Sequence, residues 1–229
     1  MSRVLHALIV GLVTLYVAPE AAPPPAAPVA PGPPITETTQ RGRPIPTLAV
    51  GRLLVADRNL SDSHFFETVV LLIEIDKDGA VGLVLNRRST IPLQRLFPNL
   101  PGSPAANGLT FAGGPVAPTV MHALSSTPRS EGLRVVDGVY LMTSREELDA
   151  ALATGAGSDD LRVYVGYAGW GEGQLAREVN AGAWRVVDAD KAVVFDRNPG
   201  TLWRRQIART EVLLVRNVLE TPGSGVLRF

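Results

Sequence analysis

The sequence predicts an α+β fold built on a mixed sheet. Short apolar runs of strand character outnumber the helical patterns, and turn signals join several of them as hairpins. The helical patterns do not alternate with strands as a doubly wound parallel sheet requires. A third observation sets the centre of the chain. From Val163 to Glu178, VYVGYAGWGEGQLARE, a β-branched run passes through Gly166, Gly169, Gly171 and Gly173 into a short helical pattern. This reads as a strand, a tight turn and a helix from Gln174 to Ala181, with Gly182 placed to stop it. The turn carries two readings. Open amides at the start of a helix can cradle an anion or a carbonyl, or the glycines form a turn packed under Trp170.

The chain of 229 residues holds 22 basic and 22 acidic residues, is 45% hydrophobic, and contains no cysteine. Zero net charge supplies no global attraction to nucleic acid or to an anionic membrane, so direct nucleic-acid binding is not expected. Without cysteine there is no disulfide framework, thiol nucleophile or thiolate metal site.

Arg3 precedes an apolar run, Val4–Ala18, broken by His6, Gly11 and Thr14. At about fifteen residues it falls short of the roughly twenty that a membrane span needs. Residues 1–18 therefore read as a hydrophobic leader, a secretory signal or an anchor, although Pro19 follows directly and no Ala-x-Ala site appears. Three readings stand: an exported protein, a membrane tether through Val4–Ala18, or a start assigned too far upstream. The first two place the protein in the cell envelope or outside, the third in the cytoplasm. Residues 19–46, rich in Ala and Pro, read as an extended linker. Residues 47–217 read as one domain with a sizeable core, and 218–229 as a loose tail.

Within the domain, Arg52–Ala56 reads as a strand, Asp57–Ser63 as a turn, and Phe65 and Phe66 as core anchors. Thr68–Ile75 and Ala80–Leu85 form a hairpin about Asp76–Gly79. Ile91–Phe97 reads as one or two helical turns opened by Pro92, and Pro98–Gly108 as a loop. Thr110–Val116 joins an apolar entry to a Gly-Gly-Pro turn. Thr119–Leu124 and Gly138–Met142 read as strands. Ser144 and Glu147 make a capping box for a helix to Ala153. Ala183–Val187 and Ala192–Phe195 read as strands, and Asn198 and Pro199 open a helix to about Ala208.

Gly171–Ala176 fits G-x-G-x-x-A, with Asp188 beyond it, and imitates a dinucleotide fingerprint. The helix is too short for a normal crossover and too little chain follows to complete a nucleotide-binding sheet, so this reading is set aside. There is no P-loop and no G-x-S-x-G elbow. His6, His64 and His122 show no metal-ligand spacing, so neither a metal nor a cofactor is expected. Asn86, at the end of an apolar strand, is placed to bond a ligand or to close a turn. Gln174 and Glu178 share one helical face, lining a pocket beside Trp170 or facing solvent. Arg87 with Arg88, and Arg204 with Arg205, read as surface charge.

Gly51–Ala56 (GRLLVA), Gly79–Asn86 (GAVGLVLN), Gly113–Val116 (GGPV) and Gly166–Leu175 (GYAGWGEGQL) together resemble the YqgE/AlgH family of bacteria. The four motifs stand in the family's order over Thr47–Arg216. The resemblance implies a bent sheet closed into a pseudo-barrel with flanking helices. It also implies an uncharacterised activity, sometimes labelled transcriptional regulation without a recognisable DNA-binding module. The chain departs from the family pattern at Ile75, Arg88 and Ala176, which removes a histidine and an acid that a catalytic proposal would use. The leader is also foreign to the family pattern.

The reading is a non-enzymatic protein binding an unknown small ligand or protein partner, with a regulatory role. Asn86, Gly113, Gly114, Trp170, Gly173, Gln174 and Glu178 are expected to converge on a concave site, with no catalytic group among them. Alanine at Gln174 or Glu178 is expected to remove binding with little loss of stability. The alternative is a hydrolase using the glycine-rich turn as an oxyanion or anion site.

Overall fold

A computed structural model describes residues 47–97, 109–128, 132–157 and 159–220 of the chain. The leader, the linker, the loop expected at Pro98–Gly108 and residues 221–229 lie outside the described residues.

The two most apolar runs form neighbouring strands. These are β1 (Arg52–Ala56) and β2 (Val69–Ile75), and Leu53 to Ala56 and Val69 to Leu72 are fully buried. A strand covered on both faces reads as a continuous apolar run, and each buried Val or Leu is worth at most about 1.5–3 kcal/mol. The Asp76 carboxylate accepts from the amides of Asp78 and Gly79, closing the turn into β3 (Gly79–Val84).

The chain continues through β4 (Arg88–Pro92), α1 (Leu93–Leu96), β5 (Leu109–Ala112), β6 (Val116–Ser125), β7 (Leu133–Val136) and β8 (Val139–Leu141). Then come α2 (Arg145–Ala153), β9 (Leu161–Gly171), α3 (Gln174–Asn180), β10 (Trp184–Asp188), α4 (Lys191–Val194) and α5 (Pro199–Glu220). The strands lie in the order β10-β1-β2-β3-β9-β6-β8-β7, and β5, itself paired with β4, joins β9. Every pairing is antiparallel except β5–β9. The fold is α+β, with a curled sheet forming a half-barrel. Its curl brings β7 back against the start of β1: a Cβ on Gly51 would stand 2.6 Å from the Val135 carbonyl of β7.

One core cluster lies among β1, β2, β3, β9, β10, α4 and α5. Trp203 of α5 buries its ring there and donates its indole N–H to the Ala56 carbonyl at 2.8 Å. A second cluster gathers Leu148, Ala151 and Leu152 of α2 with Met121, Ala123, Leu161 and Val163. Strand β9 serves both, since successive residues face opposite sides of the sheet.

Several elements differ from the sequence reading. Strand β9 runs through Gly166 and Gly169 to Gly171, so the tight turn is confined to Glu172 and Gly173. Pro92 ends β4, and only Leu93–Leu96 is helical. Strand β7 forms where the sequence shows only a polar loop, and β6 starts earlier and ends later than Thr119–Leu124. Ala192–Phe195 is not a strand, because the Asp190 carboxylate accepts from the Val193 amide at 2.8 Å and caps α4. Helix α5 runs on to Glu220, beyond the end expected at about Ala208 and three residues into the tail expected from 218. The capping box of α2 is present, with Ser144 accepting from the Glu147 amide and the Glu147 carboxylate accepting from Thr143 instead of Ser144.

Candidate functional site

Helix α3 begins beside the end of β9, and this places Glu178 under two indoles. One carboxylate oxygen accepts from Trp170 Nε1 at 2.9 Å and from Trp184 Nε1 at 2.8 Å. The other accepts from the Gln174 amide at 2.9 Å, while the Gln174 carbonyl accepts from the Gly171 backbone at 3.1 Å. Trp170 and Trp184 are buried, Glu178 is partly covered and Gln174 is exposed. The Phe65 ring stacks on Trp170 with centroids 5.9 Å apart and meets Trp184 edge-on at 5.5 Å. Gly173, at φ +64, starts α3, and its carbonyl accepts from the Arg177 amide. Trp170, Gln174 and Glu178 thus come together in a hydrogen-bonded net, with Gly173 at the start of the same helix.

Asn86 stands at the other end of the same assembly. Its carbonyl accepts from the Val69 amide at 2.9 Å and its amide donates to the Glu67 carbonyl at 2.8 Å. Arg87 adds two bonds, to the His64 carbonyl at 2.6 Å and the Phe66 carbonyl at 3.1 Å. It is a half-buried brace, not plain surface charge. Together the two residues hold the 57–68 loop that carries Phe65 to the tryptophans. The same loop holds Glu67 at φ +52, in the left-handed region unusual for a non-glycine residue, and leaves Phe66 52% exposed. Phe66 is therefore not the core anchor that the sequence implies.

Gly113 and Gly114 lie elsewhere, where the chain crosses β9. The Gly113 amide donates to the Val165 carbonyl and its carbonyl accepts from the Val84 amide, each at 2.8 Å. A Cβ on Gly113 would stand 2.2 Å from the Gly166 oxygen, and one on Gly114 would stand 2.2 Å from the Tyr167 carbonyl carbon. These glycines let two backbones touch, and their polar groups join β3 to β9.

Compared with known proteins, the profile of the AlgH-like family matches residues 53–214. The chain belongs to that family. A UPF0301 protein of Streptomyces avermitilis is 35% identical over 76% of this chain and 93% of its own length. One of Xylella fastidiosa is 36% identical over 75% of this chain and 95% of its own. The solution structure of the AlgH protein from Pseudomonas aeruginosa matches 80% of this chain and all of its own, with a TM-score of 0.60 and 29% identity. A protein of Corynebacterium diphtheriae known by its crystal structure, with a TM-score of 0.59 and 23% identity, shares the fold. The family is one of uncharacterised activity.

This AlgH-like domain also holds polar groups that the sequence reading passed over. Arg162 is 3% exposed; its Nη2 donates to the Asp196 carbonyl, while Nε and Nη1 have no hydrogen-bond partner. The guanidinium carbon lies 4.7 Å from the centroid of the Phe111 ring and 5.8 Å from that of Phe195. Tyr164, two residues on, is fully buried, and burial pushes its pKa up to about 12 against the opposing pull of the neighbouring Arg162 guanidinium. His122 lies opposite Tyr164 in the ladder, its Nδ1 unpaired and its pKa lowered by burial. A polar residue between Leu161 and Val163 in an apolar strand is the signal that marks Arg162. Among the described residues no group of histidine and carboxylate side chains gathers as a metal site. No described helix is long and apolar enough to cross a membrane.

Proposed function

We propose that this AlgH-like protein is a non-enzymatic ligand- or partner-binding protein with a regulatory role exercised through what it binds. The contact surface is the rim where the 57–68 loop meets the end of β9 and the exposed Gln174. The observation that carries this reading is the presentation of Phe66. A left-handed non-glycine residue costs roughly 1–3 kcal/mol and is kept only where surrounding structure holds it. Here the strained Glu67 is braced by Asn86, its neighbour Phe66 by Arg87, and what the braced loop exposes is a large aromatic ring. Exposed rings on a braced backbone serve recognition, since little freedom is left to lose on binding.

The hydrolase alternative has less support. The Gly171 amide that would serve an oxyanion is bonded to Gln174, and Glu178 is occupied by three N–H donors. His64 lies 3.4 Å from Asp62 on the surface, but no serine or threonine hydroxyl among the described residues donates to a histidine. Direct DNA contact is opposed by charge. Arg52, Arg58, Arg145, Arg185, Arg197 and Arg205 are each engaged by a carboxylate.

The test is a photoreactive residue at position 66, compared with one at the exposed Arg204, in cells. A discrete adduct from position 66, lost with Gln174→Ala while the fold is kept, is the expected result. Identical patterns from the two positions would remove the rim from consideration. Turnover in an esterase, phosphatase or amidase screen would install the hydrolase instead.

A further inference from the structure

Helix α4 and the turn before β9 border an open groove of about 390 Å³, lined by Asp159, Lys191, Ala192, Phe195 and Arg197. Its volume falls in the range of small-molecule sites. Ala192 and Phe195 are apolar, while Lys191 and Arg197 set two cations against the single carboxylate of Asp159.

The carboxylates in and next to this lining are already engaged. Asp159 accepts from Arg197 Nη2 at 2.6 Å, and Asp160 accepts from the Ser126 hydroxyl. Asp190 accepts from the Val193 amide, and Asp196 accepts from the Asn198 amide and is paired with Arg205. Lys191 has no such partner: among the described residues it makes no ion pair. Yet it is not a loose arm. A Cβ on Gly138, at φ +69 in the turn between β7 and β8, would stand 3.1 Å from Lys191 Cδ, so the stem lies along that glycine. A lysine stem packed in this way leaves its ammonium at the water's edge.

An occupant has to suit both parts of the lining. A neutral apolar molecule would leave the ammonium unused, and inorganic phosphate would make no use of Ala192 and Phe195. We infer that the groove binds a small organic acid, its carboxylate paired with Lys191 and its apolar body laid on Ala192 and Phe195. Arg197, tied to Asp159 through one nitrogen, adds to the positive field of the same lining. The site shares no residue with the Phe66 rim, so the two stand or fall separately.

The test titrates benzoate into the whole protein at constant ionic strength and follows backbone amide resonances. Benzyl alcohol, the ring without the charge, and inorganic phosphate, the charge without the ring, are titrated in parallel. Benzoate is expected to give saturable shifts at Asp159 and across Lys191–Arg197, with a Kd on the order of 1 mM for so small a probe. Each control should bind roughly tenfold more weakly. Lys191→Met keeps an unbranched stem for Gly138 and removes the charge, so benzoate affinity should fall roughly tenfold, while Lys191→Arg should keep most of it. Ala192→Trp, at an exposed position, should fill the groove and abolish the shifts. Circular dichroism checks that each variant is folded. Equal affinity for benzoate and benzyl alcohol, or K191M binding as the wild type does, would overturn the inference. So would phosphate binding more tightly than benzoate, or the absence of saturable shifts at these residues in the wild type.

Discussion

Glu178 shows how one carboxylate can hold an assembly together. Its Oε2 is the acceptor for two buried indole N–H groups, and an unmet buried donor costs roughly 1–3 kcal/mol. Glu178→Ala is therefore expected to cost about 2–4 kcal/mol in urea unfolding, and Glu178→Gln, which keeps an oxygen for the indoles, about 1 kcal/mol. A loss below about 0.5 kcal/mol for E178A would mean that the indoles do not depend on it. This departs from the expectation from sequence that alanine here costs little stability. Gln174, exposed, keeps that expectation. At this scale the sequence was half legible. The i,i+4 spacing put Gln174 and Glu178 on one face. Nothing in it could pair Glu178 with Trp184, because that contact depends on how β10 returns after the helix. The same holds for Asn86, whose partners Glu67 and Val69 precede it by a hairpin.

At the scale of elements, the apolar runs of β1, β2 and β3 and the capping box of α2 were legible because each carries a local signal. Strand β7 and helix α4 were not. The first is only four residues and exposes Leu133; the second is a single turn whose cap, Asp190, was overlooked beside the apolar Ala192–Phe195. The extent of β9 was also hidden, since glycine usually signals a turn and here marks the crossing with Gly113–Gly114. That crossing makes a sharp prediction. Gly114→Ala sets a methyl against the Tyr167–Ala168 backbone, which cannot rotate away as a side chain would. The loss should be roughly 3 kcal/mol, or about 6–12 °C in Tm for a domain of this size. A melting point within about 2 °C of wild type would show that the two backbones separate at little cost.

For the whole molecule, the pattern of strands, hairpins and helices correctly indicated an α+β fold, while the curl of the sheet followed only from the family resemblance. The curl depends on contacts between strands far apart in the sheet, such as Gly51 before β1 with Val135 of β7, and these leave no local periodicity. Because β9 contributes to both apolar clusters, neither should melt alone. Tryptophan fluorescence, reporting Trp170, Trp184 and Trp203 in one cluster, and far-ultraviolet circular dichroism, reporting both, should give coincident unfolding curves. Separated midpoints would show that the α2 cluster is an independent unit.

The place of β9 in the sheet also governs how the chain is made. Its three partners β3, β5 and β6 are all synthesised before it, and β1 waits longer still for β10. On the ribosome, then, the first two-thirds of the protein emerge with strand edges that nothing yet covers. A nascent chain halted before residue 161 cannot close its sheet, and its exposed apolar strands are the segments a chaperone would have to shield.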